Sequence, residues 1–134
     1  MEAKAHLLLF NMHLYDSTVP SGDAYKVHLQ LSQLGTSYKV TSLHILPPLS
    51  ESHKSDFLAI NPNGKVPALK LDDGTVLAES NAILFYLAEG TPYLPDNRVG
   101  RAQVLQCMFF EQFSGDPYVV CSTYRRRVIM AYVP

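Results

Sequence analysis

Met12-His13-Leu14-Tyr15-Asp16 alternates apolar and polar positions, and a two-residue period is that of a half-buried strand. Leu7 to Phe10 is a candidate backward extension of it. The period then changes. From Asp23 to Leu34 the apolar positions Ala24, Val27, Leu31 and Leu34 recur at helical spacing, with Ser21 or Gly22 to open the helix and Gly35 to close it. Ser37 to Ile45 carries Tyr38, Val40, Leu43 and Ile45 and reads as a second strand, stopped by Pro47-Pro48. Ser50 to Ser55 is a polar loop, and Asp56 to Ile60 is one short helical turn.

Asn61-Pro62-Asn63-Gly64 is a turn signature. Val66 to Leu71 and Thr75 to Ala78 flank Asp72-Asp73-Gly74, which predicts a hairpin because Asp-Gly tolerates the positive φ that strand twist prefers. Ser80 is placed to N-cap a helix over Asn81 to Glu89, with Gly90 as its stop. Thr91 to Asn97, with Pro92 and Pro95, reads as a linker. Arg98 to Phe113 is then a long apolar helix, and Pro117 breaks it or opens another. The predicted order is βαβ-α-ββ-α and then one more helix. A strand-helix-strand unit implies a parallel pair, to which the hairpin adds an antiparallel part.

Composition narrows the function classes. The chain has 134 residues, 47% hydrophobic and 17% charged, which fits a globular chain of one domain or slightly more. A formal net charge of −1 provides no electrostatic footprint for nucleic acid, and Arg125-Arg126-Arg127 reads as a solvated tail. The longest apolar runs fall far short of the ~20 residues of a membrane span, and the N-terminus lacks a signal-peptide core, so the cytoplasm is the expected compartment. Cys107 and Cys121 cannot build a disulfide framework and read as small buried apolar groups. The five histidines show no metal-ligand spacing, and no Cys-x-x-Cys follows the first strand, which disfavours a glutaredoxin-like redox enzyme.

The segment "NPNGKVPALKLDDGTVLAES" holds the candidate chemistry. Proline is unusual inside a strand. A Pro67 at its mouth is either an ordinary edge proline or the second half of a cis Val66–Pro67 bond. In the second case the Val66 N–H and C=O are free to pair with another extended backbone. Ser80 is either a plain cap or, with the first N–H groups of its helix, an anion site. Glu79 beside it can take an ammonium. The set suits a small zwitterionic peptide.

That segment, together with "SGDAYKVHLQLSQLG" at Ser21 to Gly35 and "RAQVLQCMFFEQFSGDPY" at Arg101 to Tyr118, resembles the bacterial-type glutathione S-transferases over roughly Met12 to Tyr118. The resemblance implies an α/β thioredoxin-like glutathione-binding domain over 12–91, then the beginning of an all-α domain over 92–134, with 1–11 as an N-terminal extension. It implies a cis Val66–Pro67 peptide pairing with the cysteinyl backbone of glutathione. Glu79 and Ser80 would hold the γ-glutamyl end, and Lys65, with Lys54 or His53, would sit near the glycyl carboxylate. Ser21 matches the family's catalytic serine, with Ser17 and Tyr15 as nearby rivals. Glutathione would be the co-substrate, a small electrophile the second substrate, and a homodimer the expected assembly.

Three departures from the family pattern stand out. Asp23 occupies a position where such sequences often carry a neutral residue, and a carboxylate near a thiolate opposes its formation. Cys107 stands where relatives often have tryptophan. The helical domain of the family normally has several more helices after Tyr118, so a C-terminally truncated chain is expected here. A non-catalytic glutathione-binding or protein-interaction module of the same fold is therefore the alternative to a transferase.

Overall fold

The computed structural model describes residues 11–115. The readings made on Leu7 to Phe10, Pro117, Cys121 and Arg125-Arg126-Arg127 lie outside them. The described residues divide into two compact units, the first ending at Leu87 and the second starting at Ala88.

In the first unit, strand β1 (Met12–Ser17) realises the predicted alternation: Met12 and Leu14 are buried on one face, while His13 and Tyr15 stand half-buried on the other. Helix α1 (Gly22–Gln33) buries Ala24, Val27 and Leu31, the predicted apolar stripe. Strand β2 spans Tyr38–Leu43, shorter at both ends than Ser37 to Ile45. It pairs with β1 in parallel, Met12 opposite Tyr38 through Ser17 opposite Leu43. The stretch read as a polar loop holds a 3₁₀ turn at Glu51–His53, and helix α2 (Ser55–Leu58) follows. The turn forms because Glu51 answers the strand end twice: its N–H donates to the His44 carbonyl (2.8 Å) and its Oε2 accepts from the His44 N–H (2.6 Å).

Strands β3 (Ala68–Lys70) and β4 (Val76–Ala78) form the predicted hairpin, each shorter than its apolar run. Gly74 takes φ +88 at the turn, and the Asp73 carboxylate accepts from the Thr75 N–H at 2.8 Å. The hairpin joins β1 antiparallel through β3, which gives the sheet order β2-β1-β3-β4. Helix α3 (Ser80–Ala88) packs Ile83 and Leu87 with Leu14, Val27, Leu31 and Leu69 in the core. Each such side chain contributes about 1.5–3 kcal/mol by leaving water. On the opposite sheet face the Tyr15 ring lies 5.7 Å from that of Phe57 on α2, and Phe57 is buried. The mixed four-stranded sheet between helices is a thioredoxin-like layer arrangement, as expected.

In the second unit, helix α4 (Arg98–Phe110) starts where the sequence places it, then widens into a π-helical turn at Glu111–Gly115 instead of continuing regularly to Phe113. None of the α4 residues is buried. The expectation of a buried Cys107 is therefore corrected: the residue is exposed. Among the described residues no helix is long and apolar enough to cross a membrane.

Candidate functional site

Strand register gathers the candidate residues at one end of the sheet. Tyr15 faces Ala68, and Ala68 faces Ala78. One or two steps past those pairs, β1 runs out at Ser17, the start of β3 is preceded by Val66-Pro67, and β4 is followed by Glu79-Ser80. The C-terminal end of β1, the entry to β3 and the exit from β4 are thus neighbours. The segment from Thr18 to Ser21 leads from this edge into α1.

Ser21 is the N-cap of α1, in extended conformation, and its Oγ accepts from the Ala24 N–H at 3.3 Å. That bond uses a lone pair. A hydroxyl also has one proton to donate, so Ser21 can cap its helix and donate outward at once. Its rivals are placed differently. Ser17 is 8% exposed and its Oγ accepts from the Val19 N–H at 3.1 Å. The ring of Tyr15 is stacked on His13 at 4.4 Å and tilted against Phe57 on the α2 face of the sheet.

The Val66–Pro67 peptide is cis, and so is Pro47–Pro48, which the sequence did not announce. Pro67 is buried and Val66 half-buried. Among the described residues no backbone hydrogen bond reaches Val66, so its N–H and C=O form an open edge. The turn before it is fixed by Asn61, which is 4% exposed: its Nδ2 donates to the Lys65 carbonyl (2.7 Å) and its Oδ1 accepts from the Asn63 N–H (3.2 Å). Gly64 has φ +63, and a Cβ there would sit 3.1 Å from the Ser52 carbonyl oxygen and 3.3 Å from the His53 ring. The turn and the 3₁₀ segment therefore lie against each other, which brings Lys65 near His53 and Lys54, all exposed. The sequence presents Asn61 and Gly64 only as turn residues. Their supporting role is visible in the Asn-Pro-Asn-Gly spacing alone only as a tight turn.

Glu79 is exposed and takes φ +67, a left-handed conformation uncommon outside glycine and characteristic of ligand clamps. Its carbonyl accepts from the Ile83 N–H at 3.0 Å, so Glu79 stands at the cap position and Ser80 is the first helical residue. The reading of Ser80 as the cap is corrected. Its side chain points away from its own helix: Oγ donates to Asp23 Oδ1 at 2.7 Å, and Asp23 Oδ1 is also 3.0 Å from Lys26 Nζ. Ser80 is 4% exposed. The bond ties the start of α3 to the first turn of α1, two residues from Ser21.

Behind the loop lies a network that sequence patterning did not single out. His28 on α1 bridges Asp16 Oδ2 (Nε2, 2.8 Å) and the Tyr38 hydroxyl (Nδ1, 2.8 Å), and Asp16 Oδ1 accepts from the Ser17 N–H. Burial, and then the Asp16 carboxylate, push the Tyr38 hydroxyl up from its ordinary pKa. The network anchors β1 where the loop toward Ser21 departs. On the other face, cross-strand register aligns Lys39, His13 and Lys70 in one row. Burial first, then Lys39 and Lys70, hold His13 below the usual imidazole value. Among the described residues no cluster of three or more His, Cys, Asp or Glu could hold a metal ion.

Comparison with known proteins fits this geometry. Residues 21–89 match the family described as glutathione S-transferase, N-terminal domain. The glutathione S-transferase GstA of Escherichia coli O157:H7 is 34% identical over 91 residues, 65% of this chain and 45% of that protein. A crystal structure of a glutathione S-transferase from Pseudomonas fluorescens Pf-5 superposes with a TM-score of 0.82 at 41% identity, covering 92% of this chain and 59% of the other. Ure2p in complex with glutathione superposes with a TM-score of 0.78 at 28% identity, covering 90% of this chain and 56% of the other. The chain thus spans roughly half the length of these relatives. With the matched segment covering the helix that Ser21 caps, the Val66 edge and the Glu79-Ser80 corner, the chain belongs to the glutathione S-transferase family.

Proposed function

We propose that the protein is a glutathione transferase that activates the glutathione thiol for attack on a small electrophile. The observation that carries this reading is the strand register that sets the Ser17–Ser21 loop, the open Val66 backbone and the Glu79-Ser80 corner around one end of the sheet. Glutathione lies extended along that end. Its cysteinyl N–H and C=O pair with Val66, as an added strand pairs with a sheet edge. Its γ-glutamyl end meets Glu79 and Ser80, and its glycyl carboxylate meets Lys65, with Lys54 or His53 beside it. The thiol then comes to Ser21.

Ser21 is not the nucleophile. A thiol of pKa about 8.5 is mostly protonated at neutral pH. A hydroxyl donating to the sulfur, at the positive end of α1, favours the thiolate. A charge-assisted hydrogen bond of about 1.5–3 kcal/mol lowers the thiol pKa by roughly one to two pH units. The thiolate forms a carbon–sulfur bond to the electrophile as the leaving group departs with its electron pair. We assign the protein to the cytoplasm and to a homodimeric assembly.

The test is turnover of an aryl chloride activated by nitro groups, together with the ultraviolet thiolate absorbance of bound glutathione. Ser21→Ala should raise the midpoint of that absorbance and slow conjugation about 10- to 100-fold, with binding little changed. Ser17→Ala and Tyr15→Phe should leave both alone. If one of these moves the midpoint and Ser21→Ala does not, the thiol-activating role passes to that residue. Glutathione binding without turnover in the wild type would identify a non-catalytic module.

A further inference from the structure

His28 commits both ring nitrogens to side chains of other elements. Nε2 lies 2.8 Å from Asp16 Oδ2 near the end of β1, and Nδ1 lies 2.8 Å from the Tyr38 hydroxyl at the start of β2. A carboxylate only accepts, so Nε2 carries the ring proton, and in the neutral ring Nδ1 accepts from Tyr38. The other Asp16 oxygen accepts from the Ser17 N–H. From there the chain is held bond by bond. The Thr18 N–H donates to the Leu43 carbonyl at 2.9 Å, and Ser17 Oγ accepts from the Val19 N–H at 3.1 Å. Pro20 follows, with its φ fixed by the ring, and then Ser21. Ser21 caps α1, and His28 lies on the same helix about two turns further on. The Asp16–His28 bond therefore closes a ring through the chain: it ties the strand that ends before Ser21 to the helix that begins after it.

Resting on the reading of Ser21 as the thiol-activating donor, we propose that His28 is a positioning residue for that step. Held between Asp16 and Tyr38, it fixes where the Ser21 hydroxyl stands relative to the glutathione sulfur, and it touches neither the peptide nor the electrophile. Apolar packing of Val27 and Leu31 already holds α1 on the core. What a satisfied polar network adds to such packing is direction, because each hydrogen bond fixes an angle as well as a distance. The donor at Ser21 needs that direction. A hydrogen bond weakens steeply as it bends, and a displacement of about 1 Å at a reacting centre can cost about 100-fold in rate. The residues assigned to the peptide, Val66, Glu79, Ser80 and Lys65, make no hydrogen bond to this network among the described residues, so its loss acts on the thiol and not on binding.

The experiment uses the full chain and reads the midpoint of the thiolate absorbance of bound glutathione, with kcat and KM for conjugation to the nitro-activated aryl chloride. His28→Leu should raise the midpoint and lower kcat about tenfold, with KM for glutathione changed by less than about twofold. His28→Gln, which keeps a donor for Asp16, should recover most of both. In a Ser21→Ala background His28→Leu should shift the midpoint no further, because the group it positions is gone. Tyr38→Phe removes a single oxygen and should shift the midpoint the same way by less; it takes the place of His28→Leu if circular dichroism shows that variant unfolded. An unmoved midpoint in the folded variant, a shift as large in the Ser21→Ala background as in the wild type, or a rise in KM with kcat unchanged overturns the positioning role while the Ser21 reading stands. If Ser21→Ala alone leaves the midpoint in place, the Ser21 reading falls and this inference falls with it.

Discussion

Two serines begin helices at this site, and their protons separate their roles. Ser21 caps α1 through a lone pair and keeps its proton for the sulfur, whereas Ser80 has given its proton to Asp23. Both residues were legible in the sequence as residues that matter, since each precedes or opens a helical stretch in a matched segment. Their hydrogen-bond polarity was not legible, because it is set by a contact between residues 57 positions apart. The same holds for His13. Its place in an alternating strand was predictable, but only cross-strand register puts Lys39 and Lys70 beside it, with Nε2 2.8 Å from Thr41 Oγ1. Burial favours the neutral imidazole in the folded chain, and the repulsion of a charged His13 by Lys39 and then Lys70 in the same row adds to this. The sign follows from the lowered value. The stability this provides is present above the ordinary imidazole pKa of about 6.5 and is lost as pH falls through the lower folded value. Between pH 7.5 and 5, His13→Gln should therefore lose less in melting temperature than the wild type. Parallel melting curves for the two proteins over that range would contradict the coupling.

At the scale of elements, type and order were legible and ends were not. Apolar periodicity located β1 and α1, the Asp-Gly turn located the hairpin, and α2 lies close to the predicted Asp56 to Ile60 turn; the 3₁₀ turn at Glu51–His53 was not legible, because it depends on Glu51 pairing with His44. β3 and β4 are shorter than their apolar runs because the ladder requires partners on β1 and across the turn, and these end at Ala68 and Lys70. In α4 the limit is steric. Asn97 caps the helix, its Oδ1 accepting from the Gly100 N–H at 2.7 Å. A Cβ on Gly100 would stand 2.7 Å from Pro95 Cβ. In an open helix Gly→Ala stabilises by about 1 kcal/mol. Here the Pro95 ring is not a flexible end that swings aside, and overpacking costs about 1–3 kcal/mol. Gly100→Ala should therefore destabilise the start of α4, read as faster amide hydrogen exchange in its first two turns. Slower exchange there would show that the linker yields and helix propensity wins.

At the scale of the whole molecule, the second unit exposes what a stable chain usually hides. Val99, Leu105, Phe109, Phe110 and Phe113 are 68%, 37%, 61%, 69% and 74% exposed. At about 100° per residue Val99, Leu105, Phe109 and Phe110 fall within an arc of roughly 140° on one side of α4, the width of a core-facing stripe, and Phe113 follows in the π-helical turn. Phenylalanines bury some of the largest areas of any side chain, and contiguous apolar patches of this kind mark association sites. The small net charge of −1 offers little electrostatic resistance to self-association. The chain should therefore self-associate at micromolar concentration through this stripe. Introducing a charge at its centre, Phe109→Glu or Phe113→Glu, should shift sedimentation toward the monomer without loss of the first unit's secondary structure. Higher salt, which screens charge but not apolar contact, should leave the wild-type assembly intact. A wild type that sediments as a monomer at micromolar concentration and binds no hydrophobic dye would show that the stripe is not an interface.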